Sequence, residues 1–185
     1  MDDQDIARGI RAGDHEAFRE LVERYGPSLL SFLLYRLGNR ADAEDAYAEV
    51  LMRVWQNARR YEESGRLKAW LFTIAHRRAL DMLEQRGRRG RDLCSAGTAE
   101  PLAQRTAAAE PGPEREAQSR EVGARFQKAL AALPEEQREV FLMREYGELS
   151  FSEVAQSVGC PLGTALARMR YAVLKLRREL EEFHA

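Results

Sequence analysis

Between Arg66 and Arg91 the chain sets eight basic side chains (Arg66, Lys68, Arg77, Arg78, Arg86, Arg88, Arg89 and Arg91) against two acids, Asp81 and Glu84. That is a local net charge of +6 inside a 185-residue chain whose formal net charge is −1. Trp70 lies within the stretch and Tyr61 just before it. Cations beside aromatic rings suit an unpaired nucleic-acid strand, because the charges track phosphates while the rings stack on bases. Trp70 also falls on an apolar helix stripe, so a plain core position competes with that reading. Arg77 and Arg78 fall on the polar side of the same helix.

A second group lies between Ser150 and Arg178. A short helix opened by the capping box Ser150-Phe-Ser-Glu153 is followed by the tight turn VGCPLG and a longer helix. That order is a helix-turn-helix, whose second helix enters the major groove. Ser152, Thr164, Arg168, Arg170, Lys175, Arg177 and Arg178 supply partners for phosphates or base edges. A simple helical hairpin with a basic face has the same pattern. The third group is the stretch Ala41–Arg60, acidic at its start (Asp42, Glu44, Asp45, Glu49) and basic at its end (Arg53, Arg59, Arg60). Both ends suit the helix dipole, and taken alone it reads as a well-solvated core helix.

Catalytic and metal chemistry find little support. His15, His76 and His184 are scattered, and no nucleophile–base spacing or glycine-rich phosphate loop occurs. Cys94 and Cys160 stand far apart, without the pairing of a zinc site or a disulfide scaffold. The reading is therefore not an enzyme, with no cofactor and no metal. Mean hydropathy is −0.53, and there is neither a signal-peptide pattern nor an apolar run of membrane-spanning length. A reducing cytoplasm is the expected setting.

The elements that must position these groups are all helical; no segment alternates with the period of a strand. Residues 2–12 form a short helix with Ile6 and Ile10 inward. Asp14 caps the next, which Gly26-Pro27 is expected to kink or split and Gly38-Asn39 to close. Ala41 to about Arg59 follows, then a polar turn from Tyr61 to Gly65. Arg66 to about Gln85 comes next, with Leu67, Trp70, Leu71, Ile74, Ala75, Ala79, Leu80 and Leu83 inward. Its outer face carries Lys68, His76, Arg77, Arg78 and Asp81, and Gly87 and Gly90 end it. From Asp92 to Glu116 the chain is rich in Ala, Pro, Gly and Glu, the composition of a flexible linker. Helices resume near Gln118, after Pro134, at Phe151–Val158 and from Pro161 to about Phe183. The last has Leu162, Ala165, Leu166, Met169, Val173, Leu176 and Leu180 as its apolar positions. The expected architecture is all-α, with two small bundles, 1–91 and 118–185, joined by the linker 92–117.

Taken together, DAEDAYAEVLMRVW, KAWLFTIAHRRALDML and LPEEQREVFLMREYGELSFSEVAQSVGCPLGT resemble the bacterial extracytoplasmic-function sigma factors of the sigma-70 family. The resemblance spans nearly the whole chain outside the linker, with the first half similar to region 2 and the second to region 4. It implies a factor that binds core RNA polymerase, directs it to promoters and assists melting. Asp42, Asp45, Glu49, Arg53 and Trp55 would dock on the β′ clamp helices. Tyr61, Arg66, Lys68, Trp70, Arg77 and Arg78 would meet the minus-ten element of promoter DNA. Ser152, Thr164, Arg168, Arg170 and Lys175 would meet the minus-thirty-five element, with the second half also reaching the β flap. The resemblance further implies an anti-sigma factor, which can hold the protein at the membrane. Near-neutral total charge fits a factor that engages promoters only on polymerase.

The chain departs from the family at several positions. Ala48 stands where the family often has Gln, and Arg77 where it often has Asn. Ala165, Leu166 and Ala167 follow Thr164, and Tyr171 and Val173 occupy positions that often hold Arg. Upstream base readout is then expected to rest on Arg168 and Arg170, or Leu166 faces a partner in an inhibited state. Two rivals remain open from the residues alone: a stand-alone helix-turn-helix regulator of duplex DNA, and a helical adaptor with no DNA role.

Overall fold

The structure, a computed structural model, describes residues 1–62, 65–89 and 123–181. The expected linker 92–117, Cys94, Gly90 and the expected helix end at Phe183 lie outside the described residues. The described chain is helical with no strand. It comprises α1 (Asp3–Ala12), α2 (His15–Leu37), α3 (Arg40–Asn57) with a 3-10 turn (Ala58–Arg60), α4 (Leu67–Arg89) and α5 (123–131). It continues with α6 (Glu135–Glu145), α7 (Phe151–Val158) and α8 (Leu162–Glu181).

Local signals place most ends. The Asp2 carboxylate accepts from the Asp5 amide and Asp5 reaches back, closing a capping box on α1. Asp14 caps α2, and Asn39 caps α3 by accepting from the Asp42 amide. Ser150 and Glu153 form the expected box at α7, and Gly159 ends that helix at φ +72.

Of the expected interruptions, neither a split of α2 at Gly26-Pro27 nor an end of α4 at Gly87 occurs. Helix α2 runs unbroken through Gly26 and Pro27. A Cβ on Gly26 would collide with the Tyr47 hydroxyl, so this glycine serves the close approach of α3. Helix α4 continues past Gly87 to Arg89.

Helices α1 to α4 pack around Ile6, Ile10, Leu21, Leu29, Phe32, Val50 and Phe72, and the Phe32 and Phe72 rings meet edge-on at 5.5 Å. Helix α8 packs on α6 and α7 through Ala165, Ala172 and Leu176. The two groups are in contact: α6 lies on α2, α7 lies on α4, and the buried apolar core is continuous across them. The Tyr35 ring of α2 stands 5.9 Å from Phe126 of α5 and 4.9 Å from Tyr146. A Cβ on Gly147 would come within 2.5 Å of the Met143 carbonyl oxygen and 3.1 Å of Phe72, so the turn after α6 presses onto α4 as only glycine allows. The next residue, Glu148, holds a left-handed φ of +48.

The reading of α8 needs correction. Leu162, Leu166 and Val173, expected inward, are 49%, 45% and 45% exposed, and Tyr171 and Leu174 are exposed as well. The inward stripe is Ala165, Ala172 and Leu176, because α8 meets its neighbours through small residues at close range.

Candidate nucleic-acid interface

Helix α4 positions the basic residues, and α7 of the second half covers part of the same face. Arg66 Nη1 donates to Gln156 Oε1 at 3.0 Å, and Lys68 Nζ donates to Glu148 Oε2 at 2.5 Å. The Thr73 and Ser157 hydroxyls are hydrogen-bonded at 2.8 Å. Lys68 holds the Glu148 carboxyl below its ordinary range. Arg66, just before α4, and Lys68 and Thr73 within it are therefore engaged with the second half.

Trp70 and Tyr61 answer differently from their expected roles. The Tyr61 ring is buried and packs 4.8 Å from Trp70, so it belongs to the core and not to a polar turn. Trp70 is half-buried against that core and also lines a cavity between α4 and α7. Arg77 is exposed and without a partner among the described residues. Arg78 is not: its Nη2 donates to Glu49 Oε1 at 2.5 Å across the α3–α4 seam.

Most of the α3 residues expected to dock on polymerase join that seam instead. Asp42 pairs with Arg86, Glu49 with Arg78, and Arg53 lies 3.7 Å from both Glu49 and Asp81. Trp55 stacks on His15 at 4.9 Å with Phe18 edge-on at 5.1 Å, which ties α3 to α2. Asp45 alone of the five is exposed with no partner among the described residues. Ala48 and Met52 share its face, and Met52 is 58% exposed. Met52 escaped the sequence reading, although a large apolar residue out of phase with the inward stripe marks it.

In the second half, Ser152 is exposed beside the α7 cap and Arg170 is exposed without a partner among the described residues, whereas Thr164 is half-buried. Arg168 points to α6 instead, 3.7 Å from both Glu136 and Glu139. Lys175 Nζ donates to the Ala132 carbonyl at 2.7 Å and so satisfies the end of α5.

The deepest polar group of the described residues joins the two halves and was missed. The Arg36 side chain of α2 is fully buried; its Nη2 donates to Glu135 Oε1 at 2.7 Å and lies 3.8 Å from Glu139 Oε2. His76, expected on the outer face of α4, is buried with Nε2 3.8 Å from the same Glu139 oxygen. Burial, then the Arg36 and Arg77 charges, push His76 down to about 4, so it is neutral at pH 7. Burial pushes the Glu139 carboxyl up, against the pull of Arg36 and Arg168. The signal for Arg36 was present: it stands three residues from Leu33 and seven from Leu29, in phase with the core stripe.

Residues 21–89 match Sigma-70 region 2, and residues 123–176 match Sigma-70, region 4. The ECF RNA polymerase sigma factor RpoE of Cereibacter sphaeroides is 32% identical over 178 residues, covering 95% of this chain and 93% of that protein. The ECF RNA polymerase sigma factor SigK of Mycobacterium tuberculosis is 29% identical over 180 residues, covering 95% and 92%. Among solved structures, the sigma factor RpoE of Bartonella quintana, in complex with the anti-sigma factor NepR, matches with a TM-score of 0.72 at 25% identity. That match covers 89% of this chain and 96% of the other. CnrH, in complex with the cytosolic domain of CnrY, has the same fold: TM-score 0.73 at 20% identity over 97% of both chains. A stand-alone regulator built on the helix-turn-helix would leave residues 21–89 without a role. Two sigma regions in order, with a relative alike from end to end, place the chain among the extracytoplasmic-function sigma factors, the alternative specificity subunits of RNA polymerase.

Proposed function

We propose that this sigma factor passes between the closed arrangement described above and an open one on core polymerase. In the open form α4 meets the melted minus-ten element and the α7–α8 pair meets the minus-thirty-five element. One observation carries the reading: Arg66, just before α4, and Lys68 and Thr73 within it are bonded to Gln156, Glu148 and Ser157, so the proposed strand-facing helix is covered by the proposed duplex-facing half. Arg77 and Arg170, exposed and without a partner among the described residues, would begin contact with DNA, and Arg168 would join them once it leaves Glu136 and Glu139.

Docking on the β′ clamp helices would use the free strip of α3, Asp45, Ala48 and Met52, an apolar anchor beside an acid. The second half would reach the β flap. An anti-sigma factor would hold the closed form by laying an amphipathic helix on the exposed Leu162, Leu166 and Val173 of α8. The likeness to the Bartonella RpoE complex with NepR, which extends over both halves, supports that partner. No described helix is long and apolar enough to cross a membrane.

A covalent lock tests the closed form. Thr73→Cys with Ser157→Cys, with both native cysteines changed to Ser, puts two thiols where the hydroxyl oxygens stand 2.8 Å apart. The oxidised protein should lose promoter-directed transcription with core polymerase, and a reductant should restore it. Equal transcription in both redox states would overturn the reading.

A further inference from the structure

Between the 3-10 turn, α4 and α7 lies a cavity of about 400 Å³. One wall belongs to the first half and the other, with Gln156 and Ser157, to α7. We propose that it binds a free nucleotide carrying two or more phosphates, and that this ligand holds the sigma factor closed. The inference rests on the closed and open forms proposed above.

The volume lies in the range of small-molecule sites. Trp70 lines the cavity half-buried and packs on Tyr61, a second lining residue, with ring centroids 4.8 Å apart, a braced aromatic surface on which a base can stack. Arg60, Arg66 and Arg77 also line the cavity. Arg60 and Arg77 have no partner among the described residues, and Arg66 engages only one nitrogen, with Gln156. Three guanidinium forks suit a di- or polyphosphate better than a single phosphate. Two acids are present too. The Glu153 carboxylate is held at the start of α7 by the Ser150 amide and hydroxyl, and Glu62 is exposed. Gln156 and Ser157 bring an amide and a hydroxyl to the opposite wall, the groups that read a base edge or a ribose.

The coupling follows from geometry. The site has both walls only while α7 sits on α4, so a ligand that touches both binds the closed form and shifts the equilibrium toward it. A DNA strand approaching Trp70 needs α7 gone, so the free nucleotide and the promoter strand compete for one ring from opposite conformations.

The experiment titrates the full chain with GDP and ADP by calorimetry, with inorganic pyrophosphate and the free nucleosides as controls. In parallel, a carbodiimide joins Lys68 to Glu148, whose atoms meet at 2.5 Å in the closed form alone. The nucleoside diphosphates should bind at least about tenfold tighter than pyrophosphate or nucleoside and should raise the Lys68–Glu148 yield. The exposed pair Arg60→Ala with Arg77→Ala should weaken binding by at least about tenfold, and Gln156→Ala on the other wall should weaken it too. No binding overturns the proposal, as does equal binding of pyrophosphate, which marks a simple anion site. Binding that leaves the cross-link yield unchanged overturns the coupling. Cross-linking without nucleotide tests the closed form by itself: if it fails, the conformational reading falls, whereas if only nucleotide binding fails, that reading stands.

Discussion

Helices α3 and α4 present two charged faces of opposite sign, and the structure treats them differently. The acids of α3 are largely matched inside the first half by Arg40, Arg53, Arg78 and Arg86, and a strip of Asp45, Ala48 and Met52 is left bare. The outer face of α4 is covered by a different part of the chain, with Arg36, His76 and Glu139 buried beneath it. On the proposed reading the bare strip would meet its partner in the form described, and the covered face would act only after a rearrangement. Recruitment to polymerase and access to promoter DNA can therefore be successive events, with opening between them.

The largest effect should come from the disulfide lock made by Thr73→Cys with Ser157→Cys. If the comparison holds, the oxidised protein loses promoter-directed transcription while its affinity for core polymerase, measured by fluorescence anisotropy, stays within a few-fold of the reduced protein. Parallel loss of both would merge the two faces into one. Next comes the buried cation. Arg36→Ala leaves Glu139 buried with less compensation. Breaking a buried pair costs about 3–5 kcal/mol, reduced here to about 2 kcal/mol because Glu135 is half exposed to water. The expected readouts are a lower Lys68–Glu148 cross-link yield and greater proteolytic sensitivity between the halves, with core binding retained.

Asp45→Lys should weaken core binding by about 1–2 kcal/mol without lowering Tm, because Asp45 has no partner among the described residues. Glu49→Lys should lower both, since Glu49 also anchors Arg78. Identical behaviour of the two variants would erase the distinction between bare and tied acids.

The smallest effect is in pH. His76 is held at about 4 in the closed form and returns toward 6.5 when water reaches it, so the open form takes up a proton first. Closed-form stability is thus complete above about pH 6.5 and is lost as pH falls toward 4. The loss is about 1 kcal/mol near pH 5.5. Glu139, raised by burial, favours the closed form as it protonates and so opposes this at the lower end. The Lys68–Glu148 proximity, followed by fluorescence transfer between labels on the two halves, should fall from pH 7 to 5.5 in the wild type and stay flat in His76→Gln. An unchanged profile in that variant would remove His76 from the hinge of the comparison.

How far the sequence carried depends on the range of each determinant. Caps and stops act within a few residues, so Asp14, Gly38, Ser150 and Gly159 announced their helices correctly. The order of the motifs along the chain was enough to recognise both sigma regions. Gly26 misled because its reason lies across the fold, at the Tyr47 hydroxyl. His76 misled because a single helix wheel admits one inward face, and α4 has a second partner that no local pattern names. On α8 Ala165, Ala172 and Leu176 took the core, with Met169 and Leu180 packed against it, while Leu162, Leu166 and Val173 stand in solvent.

The placement of the two tryptophans has a practical consequence. Trp55 is clasped by His15 and Phe18 inside the first half, where no movement of α7 reaches it. Trp70 looks into the cavity that α7 closes. The protein thus carries a sensor and an internal standard in its own indoles. With Trp55→Phe and Trp70→Phe as the single-emitter forms, its opening can be timed by stopped flow without any added dye.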